Sequence, residues 1–189
     1  MKRLSLVLLA LASVVAILSA QPKAVHFKKL QEFLPSKAPA GFERKKPSGQ
    51  TQTVMGMTTS EATVRFTGTK TEKVKNETTG QMEEQSVEMT LEATISDISL
   101  VPFAAAAYMM QTGDYENETE DGYEKSIVHK NFRGKESVSS SEDNKKCELE
   151  LFVVNRFLIK LRAENTADIK SLYALLDNID LAKLEKAQP

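Results

Sequence analysis

The side chains that could do chemistry in this 189-residue sequence are few: two histidines, one cysteine and a run of acidic residues. His26 and His129 have no partner at metal-ligand spacing, and the HExxH pattern of zinc hydrolases is absent. Cys147 with His129 would make a thiol–imidazole pair, the usual way to activate a cysteine nucleophile. Cys147 alternates with Leu149, Leu151 and Val153, however, so it is expected on a buried strand face as an inert thiol. Asp114, Glu116, Glu118 and Glu120 resemble the first ligands of a calcium loop, which needs Gly sixth and Glu twelfth. Counting from Asp114 gives Thr119 and Lys125; counting from Asn117 gives Gly122 and Val128. Both registers fail, and residues 114–122 are expected to be a solvated acidic loop. No nucleophile elbow, Walker loop, dinucleotide fingerprint or CxxC is present. Catalysis would require a pocket gathering His129, Tyr123 or the acidic loop within hydrogen-bond reach of one another. The sequence assigns no catalytic residue, metal ligand or cofactor.

The elements that would position these groups follow from hydrophobic period. Phe27, Leu30 and Leu34 lie at helical spacing within residues 25–34, and Pro35 ends the run. Residues 35–53 carry three prolines and two glycines and read as an irregular segment. Ala62, Val64 and Phe66 alternate with polar residues, as do Val87, Met89, Leu91, Ala93 and Ile95, with a polar connection over 68–84. Such period-two alternation predicts antiparallel strands with one buried face. Residues 123–132 and 135–139 are expected to be two more strands, joined through Arg133 and Gly134. The clearest hairpin sets Cys147, Leu149, Leu151 and Val153 against Phe157, Ile159, Leu161 and Ala163, turning at Asn155–Arg156. On its other face Glu148 and Glu150 oppose Lys160 and Arg162.

Pro102 to Met110 is a helix candidate with no polar face, capped by Asp97 or Ser99. Asn165 or Thr166 is expected to cap a final helix with the stripe Ile169, Leu172, Tyr173, Leu176 and Ile179. Asp180 then restarts a turn that docks Leu181 and Leu184. The sequence thus predicts an α+β fold: an antiparallel sheet of about 5–6 strands, packed by an N-terminal, a mid-chain apolar and a C-terminal helix.

Lys2 and Arg3 precede an uncharged stretch from Leu4 to Ala20, the pattern of a cleavable export signal over residues 1–20. Residues 21–189 are then a single domain, exported to the periplasm or beyond the cell, touching the membrane only through the leader before cleavage. No cysteine stands at the cut to carry a lipid. The chain holds 25 basic and 26 acidic side chains, and the leader takes two of the basic ones. That balance argues against nucleic-acid binding, which draws on excess Lys and Arg. Arg44, Lys45 and Lys46 form a small basic cluster, read as a solvated loop.

Phe33-Leu34-Pro35 with Ala40-Gly41-Phe42, and Gly56 to Phe66 with Ser60 and Ala62, have a familiar spacing, as do Ile95-Ser96-Asp97-Ile98, Asn155-Arg156-Phe157 and Asp180-Leu181. In these features the chain resembles a group of small exported bacterial proteins of unassigned function, and more distantly the PsbP-type sandwiches. The resemblance implies an envelope location and a sheet packed between helices, and carries over no catalytic residue.

With its catalytic inventory empty, the sequence points to a non-enzymatic domain that binds an envelope protein or a small ligand. The alternative is a carrier or sensor of an apolar ligand or lipid, with Phe103, Tyr108, Met109 and Met110 as contacts.

Overall fold

The computed structural model describes residues 23–54, 57–75, 80–98, 113–141 and 144–189. The expected leader, the expected helix over 102–110 and the four apolar contact residues lie outside these. Among the described residues the fold is one antiparallel sheet with a few short helices. The strands are β1 (Phe42–Arg44), β2 (Ser48–Val54), β3 (Met57–Lys75), β4 (Met82–Asp97), β5 (Glu116–Thr119), β6 (Gly122–His129), β7 (Phe132–Ser141), β8 (Asn144–Val153) and β9 (Phe157–Glu164). Helix α1 spans Phe27–Leu30 and runs into a 3-10 turn, Gln31–Phe33; α2 spans Ile169–Asp177 and α3 spans Leu181–Glu185. The strand order is β1-β3-β4-β9-β8-β7-β6-β5, with β2 also paired to β3.

The alternating strands sit at the centre. Ala62 pairs with Ile95, Val64 with Ala93 and Phe66 with Leu91 across β3–β4; Leu149 pairs with Leu161 and Leu151 with Ile159 across β8–β9. All are fully buried or nearly so, and Leu30, Phe33, Leu172, Leu175, Leu176, Leu181 and Leu184 cover them from the helices. Each of the Val, Leu, Ile and Phe side chains contributes about 1.5–3 kcal/mol by leaving water. The opposite face is charged: Glu148 meets Arg162 at 2.9 Å, and Glu150 meets Lys160 at 3.0 Å, in the expected register.

Among the described residues nine strands replace the expected five or six. Two of the extra three, β1 and β2, come from residues 35–53 and run along the outer edge of β3. The third, β5, comes from the acidic segment, which forms a hairpin with β6 rather than a loop. These edge strands are largely exposed on both faces and so carry no period to read. The polar connection over 68–84 is also mostly strand, because β3 and β4 stay in register from Gly68↔Met89 out to Lys75↔Met82.

Three local expectations are corrected. The β6–β7 turn is Lys130–Asn131, both at positive φ, instead of Arg133–Gly134. Gly134 is needed inside β7, where a Cβ would stand 2.0 Å from the Glu150 carbonyl oxygen. The β8–β9 connection also includes Val154, at φ 46°. Helix α2 is capped by Asp168, whose Oδ1 accepts from the Lys170 amide at 3.2 Å, and not by Asn165 or Thr166. Asn165 takes a left-handed conformation, and its Nδ2 donates to the Glu88 carbonyl.

Candidate functional site

Among the described residues two carboxylates are buried on the helix-packed side of the sheet, Asp97 and Glu136. Burying a carboxylate is costly unless charge and hydrogen bonds answer it, so the groups around each define its role.

Asp97 ends β4 and belongs to an ion pair; the helix it is expected to cap lies outside the described residues. Arg156 approaches its Oδ2 through Nη2 at 2.9 Å, and the Val25 amide donates to the same oxygen at 2.7 Å. Arg156 also donates to the carbonyls of Lys23 and Ala187, while its own carbonyl accepts from the Ile98 amide. One guanidinium thus ties both ends of the described chain to the ends of β4 and β9. This is a structural clamp.

Glu136 is different. It stands in β7 directly across from Lys125 in β6 and Leu149 in β8, hence on the core face, and is 4% exposed. The Tyr123 hydroxyl donates to Oε1 at 3.0 Å, and the Tyr173 hydroxyl donates to Oε2. Tyr123 is set by β6. Tyr173 is set by α2, which Leu172, Leu175 and Leu176 pin to the sheet. Lys125 completes the group, with Nζ 3.3 Å from Oε1 and 5.1 Å above the Tyr123 ring, its side chain 39% exposed. Burial, with the Glu136 hydrogen bond next, pushes the Tyr123 phenol up to about 12; the same causes raise Tyr173 further. Both phenols therefore stay protonated and remain donors at neutral pH.

An open groove of about 320 Å³ lies on the opposite, charged face of β5–β8, where Asn117, Glu124 and Ser137 stand in register with Glu148. Gly122, Tyr123, Ser137, Val138, Ser139 and Lys146 are among its lining residues, and its wall includes β5. A larger hollow of about 500 Å³ lies between Gly41–Glu43, Thr67–Thr69 and Glu88. Its only ionisable residues, Glu43 and Glu88, are exposed, so nothing buried is directed into it.

The groups singled out in the sequence do not converge. His129 and Tyr123 lie six residues apart on one face of β6, about 20 Å at strand rise. His129 Nε2 is 3.8 Å from Asp177 Oδ1 and makes no hydrogen bond. His26 caps α1, its Nδ1 accepting from the Lys28 amide. Cys147 is fully buried as expected, and burial pushes its thiol up to about 12. Among the described residues no group of three His, Cys, Asp or Glu side chains could hold a metal ion. In the basic cluster, Arg44 donates to the Pro35 carbonyl and Lys45 pairs with Glu43, both along the β1 edge. Sequence reasoning does not single out Glu136, Lys125 and Tyr173 as a site. Their signal is there only as polar residues interrupting the alternation of β6 and β7.

A mainly antiparallel sheet with one packed face and a buried carboxylate at its margin is the class that fold and site define. No protein-family model, curated protein or solved structure matches the chain.

Proposed function

We propose that the chain is an exported, non-enzymatic binding domain of the cell envelope, and that it binds its ligand or partner at the sheet margin around Glu136 and Lys125. The observation that carries this reading is a carboxylate buried on a hydrocarbon-packed face, held by donors from β6 and α2, with the partly exposed Lys125 ammonium at its solvent side. A purely structural pair would resemble Asp97–Arg156, with a guanidinium and backbone groups around the acid. Glu136 instead faces two phenols and one partly exposed amine, which reach it from β6 and α2.

Binding is favoured over catalysis because the nearby phenols and the Cys147 thiol hold their protons at neutral pH. A polar ligand is favoured over an apolar one because the groups gathered at Glu136 are two hydroxyls and an ammonium. The export-signal pattern over residues 1–20 supports a binding event outside the cytoplasm.

The test is native mass spectrometry of wild-type and Glu136→Gln protein, each purified gently from the source envelope. A bound small molecule or partner is expected on the wild type and reduced at least tenfold on the variant. Equal occupancy of the two would place binding elsewhere.

A further inference from the structure

We infer that the groove on the charged outer face of β5–β8 is a saccharide-binding site, separate from Glu136 and facing the other way. This goes beyond the reading above and does not depend on it.

The strand registers build the groove. Thr119 of β5 stands in line with Gly122, Ser139 and Lys146; in the next row Asn117 stands in line with Glu124, Ser137 and Glu148. Side chains two residues apart on a strand share a face. The alternate residues Val138, Cys147 and Leu149 belong to the core, so both rows lie outside it. The middle of the rows is low. Gly122 has no side chain, because a Cβ there would stand 1.9 Å from the Val138 carbonyl oxygen. Ser137 and Ser139 carry only hydroxymethyl groups. Longer side chains stand on either side, Asn117 on β5 and Lys146 on β8, and a hollow of about 320 Å³ opens between them. That volume is near the lower end of ligand pockets, roughly 300–1,000 Å³.

Hydrogen-bonding capacity in this hollow is unspent. Among the described residues the side chains of Asn117, Ser137, Ser139 and Lys146 make no hydrogen bond or ion pair. The carboxylates beside them are answered. Glu124 accepts from the Tyr115 hydroxyl and lies 3.7 Å from Lys135 Nζ, and Glu148 pairs with Lys160 and Arg162.

This inventory selects the ligand. An anion would face Asp121 and Glu124 as well as Lys146, and a cation would find Glu124 already paired. A sugar ring carries hydroxyls that both donate and accept, which matches an amide, two hydroxyls and one ammonium. Tyr115 precedes Asn117 by two residues on the same face of the chain, and its ring is 36% exposed. It supplies the aromatic surface that accompanies a few placed polar groups in small-molecule sites.

The same chemistry has two sources: a free oligosaccharide, or the polysaccharide of a cell wall. Cellobiose, maltose and N,N′-diacetylchitobiose are titrated separately into the full mature chain, reading 15N amide resonances. Insoluble wall glycan from the source cells is sedimented with the same protein. Saturable shifts at Gly122, Ser137, Ser139 and the Asn117 side chain are expected with at least one disaccharide, at a Kd on the order of 1 mM, or co-sedimentation with the glycan. Response to a disaccharide assigns a free sugar; sedimentation alone assigns a wall polymer. Asn117→Ala removes a hydrogen-bonding group from the wall and Ser139→Leu fills the floor, and each is expected to weaken binding at least about fivefold. If one variant fails to fold, the other carries the test. Glu136→Gln, on the other face, is expected to bind sugar as the wild type does. No shift with any disaccharide up to about 50 mM, together with no sedimentation, overturns the inference. So does sugar binding that folded Asn117→Ala and Ser139→Leu proteins both retain in full. Either failure leaves the Glu136 reading to its own mass-spectrometric test.

Discussion

Arg156 Nη2 lies 2.9 Å from Asp97 Oδ2, with Asp97 fully buried and the Arg156 side chain 17% exposed. The pair joins the β8–β9 turn to the end of β4, and through the Val25 amide and the Lys23 and Ala187 carbonyls it holds both termini of the described chain. Removing one partner leaves an uncompensated buried charge or orphaned polar groups. Asp97→Ala and Arg156→Ala are each expected to lower unfolding free energy by about 3 kcal/mol in urea denaturation. The double variant Asp97→Leu with Arg156→Met is expected to cost clearly less than the two single losses combined. Additive losses would mean that the two side chains act independently.

Val154 holds φ 46° in the β8–β9 connection, a left-handed conformation that crowds a β-branched side chain. Its side chain is an exposed one, so replacing it removes little buried hydrocarbon. Val154→Asn is expected to stabilise the fold by about 1 kcal/mol, read as a higher urea midpoint at unchanged slope.

Tyr123 and Tyr173 give the fold an alkaline limit. The phenol of Tyr123 is raised from 10.0 to about 12, so the folded state binds its proton more tightly than the unfolded chain does. That stability is fully present below pH 10 and is lost as pH rises through about 12. Tyr173 acts in the same sense. Tyr123→Phe is expected to cost about 1 kcal/mol near neutrality, through the lost Glu136 hydrogen bond. Its urea midpoint should then fall less steeply than the wild type's between pH 10 and about 12.

Cys147 is fully buried and its thiol is pushed up to about 12. A thiol reagent such as dithiobis-nitrobenzoate is expected to leave the native protein unmodified at pH 8 and to react once urea unfolds it. Rapid native-state reaction would contradict the packing of β8 against the helices.

The centre of the fold is legible in the sequence because burial on one face imposes a period of two. Alternation alone pairs Leu149 and Leu151 with Leu161 and Ile159, and matches Glu148 and Glu150 to Arg162 and Lys160. The edges are not legible. β2 and β5 are exposed on both faces, so Ser48–Val54 and Glu116–Thr119 look like loops when only hydrophobicity is read. Gly134 reads as a turn residue because a glycine required by close backbone approach looks the same in sequence as one required by a turn. The site is hidden for a related reason. Tyr123, Lys125 and Glu136 occupy core-facing positions where the pattern calls for hydrocarbon, and they make β6 and β7 look poorly formed. Polar residues that break a local rule on a packed face are where a functional site is to be sought.

Two phenols held by the buried Glu136 carboxylate are the centre of the site, and tyrosine ionisation followed by 13C NMR measures that hold most directly. At pH 11 the Tyr123 ring of the wild type is expected to remain protonated, its phenol raised to about 12, whereas in Glu136→Gln it should titrate closer to 10. A Tyr123 ring that ionises near pH 10 in the wild type, unchanged by Glu136→Gln, would contradict the site and the function built on it.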